Sequence, residues 1–246
     1  MRFGAIVPVL NEFRFMPVVL GQLFKVCDRV MILRGTRSLS GAPVRLTTVP
    51  DLDLRVEIVE GAWNSEHETR NAGIEMLTTG PNACDYVFTV DSDEILSDAA
   101  LALLKKTCET QKPRALLGGC HTYWKTTEWR IDPPEKLVAA LVVRKDVRFE
   151  RLRMFNGEST IIQRYVFHHL SLVRTDEEVQ DKLRLWGHAS EVVPGWYENV
   201  WKAWDANNAL EDLHPTHPYA FKRAVKVTDN GLKKILAEYP HAPQLV

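Results

Sequence analysis

The sequence predicts an α/β fold, a mostly parallel central sheet flanked by helices, on three observations. Short, largely apolar runs at residues 3–9, 29–33 and 85–90 alternate with segments of helical spacing. Strands apolar on both faces belong to sheets covered on both sides, which is where parallel strands are found. The length of 246 residues with 45% hydrophobic content supports one sizeable core, and no stretch approaches the roughly 20 apolar residues of a membrane helix.

Residues 3–9 read as a buried first strand that includes Pro8 and gives way to Asn11-Glu12. Helical spacing over 15–26 stops near Cys27-Asp28. The apolar run 29–33 is halted by Gly35, and a third run covers 54–59. Residues 66–77 read as a helix, with Ser65 as N-cap and Glu68 three positions on as its capping-box partner. The fourth strand, 85–90, runs directly into Asp91-Ser92-Asp93-Glu94, and an amphipathic helix follows over 97–107.

The second half changes character. Strands at 116–123 and 137–144 enclose a polar segment, 125–136. Residues 175–185 form a charged helix whose acidic start, Asp176-Glu177-Glu178, suits the helix dipole. Six of the seven tryptophans lie in this half, together with His168, His169, His188, His214 and His217. Trp196, Trp201 and Trp204 recur at helical intervals, which suits core packing or a self-association surface. The chain is expected to be one domain, residues 1–110 forming one half and 111–246 the other.

A net charge of −1 gives no electrostatic reason for non-specific binding to nucleic acid or membranes. The cysteines, Cys27, Cys84, Cys108 and Cys120, show neither CxxC pairs nor zinc-ligand spacing, so reduced thiols are expected. The N-terminal apolar run is too short for a signal peptide. These features predict a cytoplasmic protein.

Chemistry concentrates at Val90-Asp91-Ser92-Asp93-Glu94. Two carboxylates at i and i+2, where the chain leaves a buried strand, put hard oxygen ligands at the opening of an α/β crevice. Such a pair suits Mg²⁺ or Mn²⁺, which usually keep substrate phosphates as further ligands. The plainer reading is a turn followed by an N-cap at Ser92, Asp93 or Ser97.

Further residues carry a resemblance. Ile6-Val-Pro-Val-Leu-Asn11-Glu12, Arg70-Asn71-Ala72-Gly73-Ile74-Glu75 and Asp85-Tyr-Val-Phe-Thr-Val-Asp91-Ser-Asp93-Glu94 occur in this order over the first hundred residues. In motif and spacing the chain resembles GT-A-type glycosyltransferases, close to glycosyltransferase family 2. A weaker similarity follows at Phe167-His168-His169-Leu170-Ser171 and through Lys182 to Gly187-His188, as in small transferases whose C-terminal histidine completes the metal site.

The resemblance implies a nucleotide-sugar donor. Pro8, Asn11 and Glu12 would lie against the base or ribose, Arg70 near the base or phosphates, and Asp91, Ser92 and Asp93 at the ribose and metal. His169 would be the further ligand by motif, with His168 and His188 as alternatives; neighbours on a strand face opposite ways, so only one of 168 and 169 can reach the crevice. Each histidine also has a structural reading as a satisfied packing residue, and Arg70 one as an exposed helix cation. The second strand ends Met31-Ile-Leu-Arg34-Gly35-Thr36, without the acids the family usually carries there. The nucleotide is thus left open, with uridine as the default.

An inverting transferase needs a carboxylate to take the acceptor's proton. Glu128, Asp132 and Glu135, beside Trp124 and Trp129 in the polar segment, are the candidates, against a reading of that segment as a solvated loop. The acceptor could be a glycan, a lipid-linked sugar, a protein, a small molecule or a modified nucleic acid, and the chain could oligomerise. A sugar-phosphate nucleotidyltransferase would carry a Gly- and Lys-rich loop after the first strand, where Asn11-Glu12-Phe13-Arg14-Phe15 stands instead. A haloacid-dehalogenase-type phosphatase would place its acids after the first strand, not the fourth. A non-catalytic nucleotide- or carbohydrate-binding relic of the fold is separated from an enzyme only by turnover.

Overall fold

In a computed structural model describing residues 1–208, 210–228 and 231–239, the strands are β1 (Phe3–Val9), β2 (Arg29–Gly35), β3 (Val56–Gly61), β4 (Tyr86–Thr89) and β5 (Glu94–Leu96) in the first half. The second half holds β6 (Ala115–Trp124), β7 (Thr126–Asp132), β8 (Glu135–Arg144), β9 (Thr160–Leu172) and β10 (Arg223–Lys226). Five α-helices accompany them among the described residues: α1 (Met16–Leu23), α2 (Glu66–Thr78), α3 (Asp98–Gln111), α4 (Asp176–Leu185) and α5 (Gly231–Ala237).

The first four strands lie side by side as β3-β2-β1-β4, all parallel. Beyond β4 the sheet continues as β8, β6, β7 and β10, each antiparallel to the last. The parallel arrangement thus stops at β4. β7 follows β6 through a tight turn, which can join only antiparallel strands, and β8 then runs antiparallel to both β6 and β4, on the other side of β6 from β7. β9 returns parallel to β6 and antiparallel to the short β5.

The polar segment 125–136 is accordingly not a loop. It contains β7, whose alternation escapes notice because one face is solvated: Thr127 and Ile131 are buried while Glu128 is exposed.

Both faces of the parallel strands are covered. Phe3, Ala5, Val7 and Val9 pack with Phe15, Leu20, Phe88 and Leu101 on one side, and Ile6 packs with Leu33, Ile74 and Leu77 on the other. A third cluster joins Trp124, Trp196, Trp201 and Trp204 to Leu213 and Phe221. The tryptophans at helical spacing are therefore core residues, and two of their indole nitrogens are satisfied: Trp196 donates to Leu213 O at 3.0 Å and Trp201 to Asp176 Oδ1 at 2.8 Å.

Ser65 caps α2 by accepting from Glu68 N at 3.2 Å, but Glu68 answers to Asn64 N at 2.8 Å, one residue before the cap. The reciprocal capping box forms instead on α4, between Thr175 and Glu178.

Candidate functional site

An open cleft of about 920 Å³ lies at the carboxyl ends of the parallel strands. Strand β1 delivers Asn11 and Glu12 to it, and β4 delivers Asp91, Ser92 and Asp93. Helix α2 contributes Arg70, β9 contributes His169, and the segment from 174 to 188 contributes Arg174, Lys182 and His188. Pro8 also borders it.

The carboxylates are ringed by cations. Asp91 accepts from Arg70 at 2.7 Å on one oxygen and from Arg153 on the other. Arg153 also reaches Glu94 Oε1 at 2.7 Å, and the second Glu94 oxygen accepts from the Asp91 backbone N–H at 2.9 Å. Asp93 Oδ2 accepts from both Arg174 and Lys182 at 3.3 Å. Arg174 in turn holds Glu12, and Arg14 is paired with Glu178.

Burial alone would push these carboxyls up. Lys182, His169 and Arg174 outweigh it at Asp93 and hold that group below the ordinary carboxylate range. Arg153 and Arg70 do the same for Asp91. At Glu94 burial wins, helped by the Asp91 charge, and its pKa is raised despite Arg153.

The remaining nominated residues divide clearly. Asn11 ties down the loop after β2: its amide donates to Arg45 O at 2.8 Å and its oxygen accepts from Thr47 N at 3.0 Å. His169 Nε2 faces Asp93 Oδ1 at 3.9 Å. His168 turns to the opposite face of β9, where its Nδ1 meets the Tyr123 hydroxyl at 2.9 Å and burial pushes its imidazole down to about 4. His188 borders the cleft but pairs with Glu191 at 3.0 Å.

Glu128 and Asp132 do not line the cleft. They sit along β7 in ion pairs with Lys233 at 3.3 Å and Arg223 at 2.8 Å, because β7 packs towards the C-terminal elements. Glu135 lies behind His169, where it accepts from Thr122 and from Cys120 Sγ at 3.6 Å.

Sequence reasoning missed Arg153, Arg174 and Thr122. Their partners lie 62, 81 and 13 residues away, so no local pattern announces them.

Asp93 and His169 fit a divalent ion, offering a hard oxygen and an imidazole nitrogen that face each other with no hydrogen bond between them. Asp91 does not fit as a ligand in this arrangement, since both of its oxygens are engaged by guanidinium groups.

No family model matches the chain, and no curated protein matches it. Among solved structures, S. aureus TarS (residues 1–349) is 13% identical with a TM-score of 0.45, covering 70% of this chain and 61% of that one. The same protein in complex with UDP-GlcNAc is 13% identical with a TM-score of 0.44, covering 75% and 65%. The 4-diphosphocytidyl-2C-methyl-D-erythritol synthase from Anaerococcus prevotii is 13% identical with a TM-score of 0.41, covering 73% and 95%. The chain thus spans less than two thirds of the length of the TarS structures it matches.

Proposed function

We propose that the chain is a GT-A-type glycosyltransferase that takes a nucleotide-sugar donor in this cleft, with Mn²⁺ or Mg²⁺ held by Asp93 and His169. One observation carries the reading. A buried strand-end carboxylate, Asp93, has Arg174 and Lys182 on one oxygen and an imidazole facing the other, all on the wall of an open cleft. That set provides for a group bearing several negative charges, and a diphosphate is such a group.

The metal would supply neutralisation of charge on the departing diphosphate. The protein's own residues have distinct parts. Arg174 and Lys182 add fixed positive charge beside the same carboxylate, in a partly buried setting where it acts more strongly than in water. Arg70 and Arg153 hold Asp91 in one orientation, so that its carboxylate and the neighbouring Ser92 form a rigid floor. Asn11 fixes the 45–47 backbone along the rim nearest the first strand, where a base or ribose would lie.

Thermal shift with nucleoside diphosphates tests the reading, since a ligand that binds only the native state raises its stability. Wild type should be stabilised by at least one nucleoside diphosphate more strongly with Mn²⁺ than with chelator. Asp93→Asn should keep the fold and lose that metal-dependent increment. Equal shifts for both proteins, with and without metal, would reject the assignment. Release of nucleoside diphosphate from a nucleotide-sugar in the presence of an acceptor then separates an enzyme from a binding protein.

A further inference from the structure

Behind the cleft wall, Cys120 Sγ, a Glu135 carboxylate oxygen and a His169 ring nitrogen lie within 4.8 Å of one another, the spacing of a possible ion site. The Thr122 hydroxyl, wholly buried, stands among these three groups. Its Oγ1 is 3.4 Å from Cys120 Sγ, 3.5 Å from His169 Nδ1 and in a short hydrogen bond to Glu135 Oε1. The cluster is therefore centred on a hydroxyl, not built around room for an ion.

The hydrogen-bond directions decide what that hydroxyl can offer. Thr122 has one proton and gives it to Glu135 Oε1. Towards His169 Nδ1 it then presents only lone pairs, so this 3.5 Å contact is a hydrogen bond only when Nδ1 carries the hydrogen. In the neutral ring that leaves Nε2 bare. Nε2 is the atom that faces Asp93 Oδ1 at 3.9 Å. In the neutral ring two acceptors then face each other, and a proton on Nε2 or a metal cation between them relieves the contact.

We infer that Thr122 and Glu135 are positioning residues for His169, holding its Nδ1–H tautomer so that Nε2 is presented towards Asp93 as a metal ligand. The metal half of this inference rests on the donor-site reading above; the tautomer does not. Metal-bound histidines commonly donate their second ring N–H to an oxygen partner, whose loss typically weakens metal binding tenfold to a hundredfold. On this assignment Glu135 Oε1 is engaged by Thr122 and Cys120, and Glu135 is not among the residues lining the cleft.

The experiment is ¹⁵N NMR on the full chain with labelled histidine, metal-free at pH 8, the His169 signals being identified by their loss in His169→Gln. Wild type should carry the hydrogen on Nδ1. Thr122→Val, close in shape but without a hydroxyl, should shift the ring towards Nε2–H, and Thr122→Ser should restore Nδ1–H. Mn²⁺ affinity should fall about tenfold to a hundredfold in the valine variant and recover in the serine variant. A hydrogen on Nε2 in wild type, or an unchanged tautomer in Thr122→Val, overturns the inference. Should the valine variant not fold, the wild-type tautomer decides alone. Nδ1–H in wild type with no Mn²⁺ binding would overturn the donor-site metal while upholding the positioning contact.

Discussion

Asp91 and Asp93 stand two residues apart and are used differently. Asp91 is clamped by two guanidinium groups, one of which it shares with the buried Glu94. Removing Arg153 would leave two acids short of a partner, so that arginine belongs to the scaffold of the site as much as to its charge. Asp93 is 7% exposed at its side chain and meets cations that also border open space. Lys182 is the most telling of these, because its stem lies on α4 and its ammonium alone reaches the acid. Under the proposed function it stands beside the phosphates, and a hydrogen bond to a charged group is worth about 1.5–3 kcal/mol. Lys182→Met should therefore weaken nucleoside diphosphate binding by about tenfold or more while leaving the secondary structure unchanged, and Lys182→Arg should weaken it less. Calorimetric titration of both variants checks this, and wild-type affinity in Lys182→Met would remove the lysine from the phosphate site.

Helix α2 shows how one short motif can serve packing and site together. Arg70 points to Asp91, Asn71 makes paired bonds with the Phe149 backbone at 2.8 Å each, and Gly73 lets the helix approach the sheet. A Cβ at Gly73 would stand 2.5 Å from Leu33 Cδ1 and 2.7 Å from Ile6 Cγ2, both buried. Gly73→Ala should cost about 1–3 kcal/mol through overpacking, with the helix pushed off the strands that carry Asn11 and Asp91. Chemical denaturation checks the cost; an unchanged or raised midpoint would show that the leucine and isoleucine ends move aside freely. The motif was legible in the sequence because all its parts fall within four residues of one helix. The parallel strands were legible for a similar reason, since β1, β2 and β4 are continuous apolar runs buried on both faces. Strand β5 was not, being three residues that begin with Glu94. Strand β7 was hidden by its polar face, and the full length of β9 by its exposed residues before Val166, such as Gln163 and Arg164. What pins those strands is pairing with β6, and pairing across the sheet leaves no mark at the spacing of a single segment. The site followed the same division. Strand ends were readable as positions, whereas Arg153 and Arg174 entered it through distant contacts.

At the scale of the whole molecule, a net charge of −1 makes general charge repulsion a weak influence near neutral pH, so the response to acid is set by particular groups. Burial pushes the imidazoles of His121, His168 and His214 down to about 4. In the unfolded chain each would titrate near 6.5. Between those limits the unfolded state binds protons that the native state does not, so stability falls as pH drops from about 6.5 to 4, by at most ~1.4 kcal/mol per pH unit for each such group. Asp91 and Asp93, held low, act in the same direction but in a separate window, losing their contribution only as pH falls through and below the ordinary carboxylate range. His214 is the cleanest of the three histidines to test. Its Nδ1 accepts from the backbone N–H groups of Thr216 and His217 at 3.2 and 3.0 Å, and its ring meets Phe221 edge-on at 4.5 Å. Protonating Nδ1 would turn that acceptor into a donor and break the turn it organises. Asparagine at this position can accept the same two hydrogen bonds through its side-chain oxygen and cannot gain a proton in this range. The urea midpoint of wild type should therefore be lower at pH 5 than at pH 7.5, and His214→Asn should show a smaller difference between the two. Equal midpoints in wild type would mean that the buried histidines titrate normally, and an undiminished difference in His214→Asn would move the acid sensitivity away from this turn.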